Sequence, residues 1–243
     1  MKKTTRIILS VCLAVLFVVG VGGYAFVSDS YHADETAWEA MACQTDSVQA
    51  ELDGNVTWFV PEAPTAGLIF YPGGKVENTA YAPLMRACAE NGILCALVRM
   101  PGNLAVLDAN AADGLQQEHP EITTWYIAGH SLGGAMAAGY AAAHEKDFDG
   151  LILLAAYSTK DLSQTPLRVL SVYGSEDGVM NRESYEKNGS NLPADTTEVL
   201  LDGGCHAQFG SYGPQDGDDV PTISGEEQVQ QTADAIAAFI GQD

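Results

Sequence analysis

Two kinds of segment alternate along most of the chain. Residues 67–71 (Gly67-Leu68-Ile69-Phe70-Tyr71), 93–98, 149–155 and 168–173 are short, largely apolar runs, Trp125-Tyr126-Ile127 is a shorter one, and the more polar 196–201 reads as the last strand. A run with no polar alternation fits a strand covered on both faces. Between them lie stretches in which apolar residues recur every three or four positions: residues 81–91, closed by Asn91-Gly92, 104–118, and 225–240. These predict helices, as does the Ala-rich run 135–143. Residues 48–52 and 56–60 flank Asp53-Gly54-Asn55, a hairpin signal that places an antiparallel pair ahead of the rest. Strand–helix alternation of this kind predicts an α/β fold with a mostly parallel central sheet and helices on both faces. No internal repeat is present.

The first residues depart from that pattern. Positions 7–27 carry no charge over 21 residues, about the length of a membrane-crossing helix and longer than a typical signal-peptide core. Lys2, Lys3 and Arg6 precede this run, and Asp29, Asp34 and Glu35 follow it. The expectation is one transmembrane helix within residues 1–28, the N-terminus in the cytoplasm and the remainder outside the cell. A cleaved signal ending at Gly23-Tyr24-Ala25, with secretion, is the competing reading. A lipoprotein reading through Cys12 fails because Val11 precedes it. Residues 29–46 read as a polar stalk with a short helical pattern (Ala37, Trp38, Ala40, Met41) that packs onto the domain. Residues 47–243 suffice for one well-cored domain and not for two.

Charge narrows the partners. The net charge is −21, and setting aside the three basic residues ahead of the apolar span leaves −24. So acidic a surface argues against nucleic acid or anionic lipid. Beyond Cys12, the cysteines are Cys43, Cys88, Cys95 and Cys205. An oxidising compartment would permit disulfides, but Cys88 and Cys95 fall in a helix and a strand, where a thiol serves as a small core residue. No Cys/His spacing matches a zinc site, and the acidic loop 216–219 reads as a solvated turn rather than a calcium site, so no metal or cofactor is expected.

The chemistry is concentrated in Trp125-Tyr126-Ile127-Ala128-Gly129-His130-Ser131-Leu132-Gly133-Gly134. This is a buried strand, a G-x-S-x-G turn and the start of an Ala-rich helix. In that arrangement the serine sits on a strained strand-to-helix bend, its hydroxyl projecting over the sheet edge. The outer glycines allow strand and helix backbones to pass closely. From these residues the chain resembles the α/β-hydrolase superfamily over residues 48–242, most closely a compact bacterial branch related to dienelactone hydrolases.

The resemblance implies a nucleophile, acid and base in that chain order, with Ser131 as nucleophile. His144 lies thirteen residues along the elbow helix, roughly 20 Å away by helical rise. His206, in the loop after the last strand, therefore becomes the base. Asp177 in Tyr173-Gly174-Ser175-Glu176-Asp177-Gly178 matches the acid turn, with Glu176 as runner-up and Asp202 a weaker alternative. The loop Pro72-Gly73-Gly74-Lys75 corresponds to the oxyanion loop, with Gly74 as the N–H donor, Lys75 next, and Leu132 supplying the partner N–H. Cys205 departs from the family pattern, in which a polar amide side chain tends to precede the base, and that questions the rigidity of the loop. His130 reads as a variable packing position. The implied activity is cleavage of a small ester through an acyl-enzyme on Ser131. An acyltransferase with the same triad and a non-catalytic binding domain on a hydrolase fold are the alternatives. Only about a dozen residues separate Ala155 from Arg168, so no lid is expected.

Overall fold

Gly54 adopts φ 56° and turns β1 (Val48–Asp53) directly into β2 (Val56–Pro61), the predicted antiparallel hairpin. This hairpin edges a sheet in a computed structural model that describes residues 29–45 and 47–241, together with residues 12, 13, 15, 17, 20, 22 and 23. The chain divides into two units, Met1–Ser30 and Tyr31–Asp243. Among the described residues no helix is long and apolar enough to cross a membrane, and the expected anchor lies largely outside them.

The other strands are β3 (Ala66–Tyr71), β4 (Ile93–Val98), β5 (Trp125–His130), β6 (Gly150–Leu154), β7 (Arg168–Gly174) and β8 (Thr197–Leu201). They form one eight-stranded sheet in the order β1-β2-β4-β3-β5-β6-β7-β8, parallel from β4 to β8. The apolar runs are explained by what covers the sheet. In β3, Leu68 and Phe70 point into one core and Ile69 and Tyr71 into the other, so no position is left for a solvated side chain. The first core is closed by α2 (Ala82–Glu90) and α6 (Gly225–Ile240), and the second by α4 (Leu132–Ala143).

Residues 31–45 belong to the same unit as the sheet. Asp34 caps α1 (Glu35–Ala42) by accepting from the Ala37 N–H at 3.0 Å. Arg86, buried on α2, donates to the carbonyls of Ala40 (2.8 Å) and Cys43, so a cation satisfies the orphan carbonyls at the end of α1.

One predicted helix is overturned. Residues 104–118 keep only α3 (Leu115–Glu118), after short 3-10 turns at Pro101–Asn103 and Ala105–Leu107. The buried Tyr71 hydroxyl donates to Ala109 O at 3.0 Å and accepts from Ala112 N–H at 2.9 Å, which takes both groups out of any helical ladder. Gly114 at φ 87° then breaks the run again. A helix that was not predicted, α5 (Arg182–Asn188), follows the turn after β7 and is capped by Asn181. The segment between β6 and β7 contains no helix or strand. Cys88, Cys95 and Cys205 are buried free thiols and Cys43 is an exposed one, in line with the core-residue reading.

Candidate active site

Ser131 stands at the junction of β5 and α4 with φ 52° and ψ −122°, a conformation that costs a non-glycine residue of order 1–3 kcal/mol. The surroundings over-determine it. The Ser131 N–H continues the sheet by donating to Leu154 O at 2.9 Å, while its carbonyl starts α4 by accepting from Ala135 N–H at 3.1 Å. A Cβ at Gly129 would lie 2.5 Å from the Gly133 carbonyl carbon, and one at Gly133 would run into the carbonyl oxygens of Tyr71 and Pro72. The glycines flanking Ser131 are therefore demanded by backbone-to-backbone contact, as the sequence pattern implied.

Asp177 and His206 come together from the turns that follow β7 and β8. His206 Nδ1 and Asp177 Oδ2 are 2.9 Å apart, and both side chains are buried. Asp177 Oδ1 also accepts from the backbone N–H groups of Val179 (2.9 Å) and Met180 (2.8 Å). Burial pushes the Asp177 carboxyl up, but the hydrogen bond and charge of His206 together with these two N–H groups more than offset it. The group is held below the usual carboxylate range. An ionised Asp177 accepts a hydrogen bond from the Nδ1–H of His206, which leaves Nε2 as an acceptor. His206 Nε2 is buried and makes no hydrogen bond. The rival acids are otherwise engaged or displaced: the Glu176 carboxylate accepts from Ser175 Oγ at 2.9 Å, and Asp202 is exposed. His144 stacks on Tyr140 at 4.0 Å between ring centroids, back along α4.

The loop after β3 distinguishes its two candidate donors. Lys75, at φ 62°, commits its N–H to Asn103 O at 2.7 Å, and Gly73 commits its own to the Tyr81 hydroxyl at 3.0 Å. Gly74 makes no such bond and abuts Leu132, since a Cβ there would lie 2.9 Å from Leu132 Cδ2. Leu132 is the first residue of α4, where an N–H has no partner within the helix. Gly74 and Leu132 thus adjoin as N–H donors with no backbone partner among the described residues, while the Lys75 N–H is taken by Asn103 O.

Two further groups escaped sequence reasoning. His130 is buried; its Nδ1 lies 2.8 Å from the Tyr81 hydroxyl and its ring 4.5 Å from that of His206. Burial above all, reinforced by the charge of His206, holds His130 well below the usual imidazole value. The lowered value disfavours a positive charge on this ring beside His206. Gln228 of α6, fully buried, accepts from Cys205 N–H at 2.9 Å and donates to Cys205 O at 2.8 Å. That amide braces the backbone of the loop carrying His206 at Cys205, where a polar amide at position 205 itself is missing. No local motif could have signalled either contact, because each joins elements far apart in the chain.

The family model described as "Alpha/beta hydrolase family" matches residues 67–230, more than half of the chain. The chain belongs to the alpha/beta hydrolase family. Solved structures share the fold of this hydrolase-family chain at low identity. The "predicted CIB-like hydrolase" from Thermoplasma acidophilum is 16% identical with a TM-score of 0.58, over 79% of this chain and 99% of that one. TT1662 from Thermus thermophilus is 14% identical with a TM-score of 0.58, over 81% and 99%. Est1E from Butyrivibrio proteoclasticus is 14% identical with a TM-score of 0.56, over 81% and 100%. No curated protein sequence matches the chain.

Proposed function

We propose that this alpha/beta hydrolase is a serine esterase: Ser131 attacks the carbonyl of a small ester, His206 takes the serine proton and returns it to the departing alkoxide, and water then releases the acyl group. Asp177 holds the imidazole tautomer and stabilises the imidazolium. The N–H groups of Gly74 and Leu132 receive the negative charge that develops on the carbonyl oxygen. The observation that carries this reading is the buried 2.9 Å contact of His206 Nδ1 with Asp177 Oδ2, which leaves Nε2 unpaired on a ring packed against His130, the neighbour of Ser131.

Substrate size follows from the connection between β6 and β7, which contains no helix or strand to serve as a lid, and from the net charge of −21. With no apolar cap to open at a lipid interface, turnover should favour short neutral acyl esters in solution. Anionic esters should improve as salt screens the acidic surface. A fluorophosphonate probe should label Ser131, and kcat/KM should fall along an acyl series from about two to sixteen carbons. A rise with chain length, or a jump in rate at the onset of micelles, would contradict the size assignment.

The reading also places the domain outside the cell, on a membrane anchor within residues 1–28. Support comes from the uncharged run 7–27 behind Lys2, Lys3 and Arg6. Protease added to intact cells should digest the domain and leave a short N-terminal stub. Soluble protein beginning near Phe26 would show cleavage instead.

A further inference from the structure

The loop 216–219 reads in sequence as a solvated acidic turn, and Asp216 and Asp219 are indeed exposed. Asp218 behaves differently. Its Oδ1 accepts from the backbone N–H groups of Gly178 at 3.1 Å, His206 at 3.2 Å and Asp219 at 3.1 Å, and its Oδ2 accepts from Ala207 N–H at 2.8 Å. Gly178 directly follows Asp177. One carboxylate therefore joins the main chain beside the candidate acid to the main chain of the candidate base.

Packing at the same point carries the observation independently. A Cβ at Gly178 would lie 2.6 Å from Gly217 O and 2.9 Å from Asp219 N, so the acid turn and the 217–219 loop are in backbone contact with no room for a side chain between them. Asp177 and His206 hang on separate turns, after β7 and β8. Backbone bonds from Ser175 N–H to Leu201 O at 3.0 Å and from Glu176 N–H to Gly204 O at 2.8 Å join the turns ahead of Asp177, and Asp218 adds the link at Gly178, His206 and Ala207. Hydrogen bonds to an ionised acceptor are roughly twice as strong as neutral ones, and four converge here. A reacting group displaced by about 1 Å can lose 100-fold in rate.

We propose that Asp218 is a positioning residue of this active site: its carboxylate clamps the acid turn to the base loop and so sets the geometry of the His206–Asp177 hydrogen bond. The proposal rests on the assignment of Asp177 and His206 as acid and base. Asp218 touches no reacting atom, and its effect passes through the His206 imidazole.

Asp218→Asn keeps the size and one acceptor oxygen but turns an NH2 toward N–H donors. On a short-chain p-nitrophenyl ester its kcat should fall about 10- to 100-fold with KM changed by less than about two-fold. Asp219→Asn makes the same charge change on an exposed side chain and should keep the original kcat. The proton on His206 Nδ1, identified by its loss in His206→Ala, should give a downfield NMR resonance that moves upfield or broadens in Asp218→Asn and stays in place in Asp219→Asn. In the unsubstituted protein the amides of Gly178, His206 and Ala207 should exchange more slowly with solvent than that of Gly217, a measurement that does not depend on any variant folding. An Asp218→Asn protein with unchanged kcat and resonance, an equal loss in Asp219→Asn, or fast exchange at those three amides would each overturn the clamp. If fluorophosphonate fails to label Ser131 in the unsubstituted protein, the esterase reading fails instead, and the resonance and exchange measurements still decide the role of Asp218.

Discussion

Ser131→Ala should lower kcat by at least about 10⁴-fold, His206→Ala should do nearly the same, and the double variant should be little worse than either single one. The non-additivity follows from what each group does. A serine hydroxyl is a weak nucleophile until its proton has an acceptor, and the open Nε2 of His206 serves no purpose without a hydroxyl to take the proton from. Residual rate in all three should come from the Gly74 and Leu132 donors. Steady-state kinetics on one activated ester measures this, with circular dichroism to establish that each variant is folded. Turnover close to normal in folded His206→Ala would reassign the base.

Gly133→Ala should cost more stability than any other single methyl group added on α4. The new Cβ would meet the carbonyl oxygens of Tyr71 and Pro72, which are backbone atoms and cannot rotate away. Either α4 lifts from the sheet or the end of β3 moves, and the loop carrying Gly74 begins at that end. Overpacking of this kind costs about 1–3 kcal/mol and sometimes more. In a domain of this size that corresponds to a fall in Tm of about 2–4 °C per kcal/mol. Gly139 offers the contrast on the same helix. Nothing lies within 4 Å of a Cβ there, so Gly139→Ala should be neutral or should stabilise by up to about 1 kcal/mol. Thermal unfolding of the two variants side by side is the test, and equal melting temperatures would show that the elbow tolerates more movement than its contacts imply.

Much of this architecture could be read from local pattern. The hairpin around Gly54, the closing helix Gly225–Ile240 and the strands lie within a residue or two of where periodicity places them, except β5, which runs three residues past Ile127 to His130. They were legible because a strand covered on both faces must be apolar throughout, and a helix on a sheet must be apolar every third or fourth residue. Ser131 was legible for a related reason: a bend this strained requires glycine at fixed offsets, and Gly129 and Gly133 supply it.

Other features depended on groups that meet only after folding. Residues 104–118 have helical periodicity, but Tyr71, more than thirty residues earlier, takes the hydrogen-bonding groups a helix would need. Resemblance alone ranks Gly74 ahead of Lys75 as donor, and the physical difference between them, Asn103 O occupying the Lys75 N–H, lies in a contact that local sequence does not show. His130, read as a variable packing position, proves to be hydrogen-bonded to Tyr81 and packed on His206. In the same way Asp218 looks like its exposed neighbours until four backbone N–H groups converge on it. The sequence by itself determined the strand and helix pattern and the elbow, because those are set by periodicity and steric limits within a few residues. Only the tertiary structure decided which polar groups satisfy one another around Ser131, because a hydrogen bond is assigned by position in space, and the partners here come from turns that the chain brings together only when the sheet has closed.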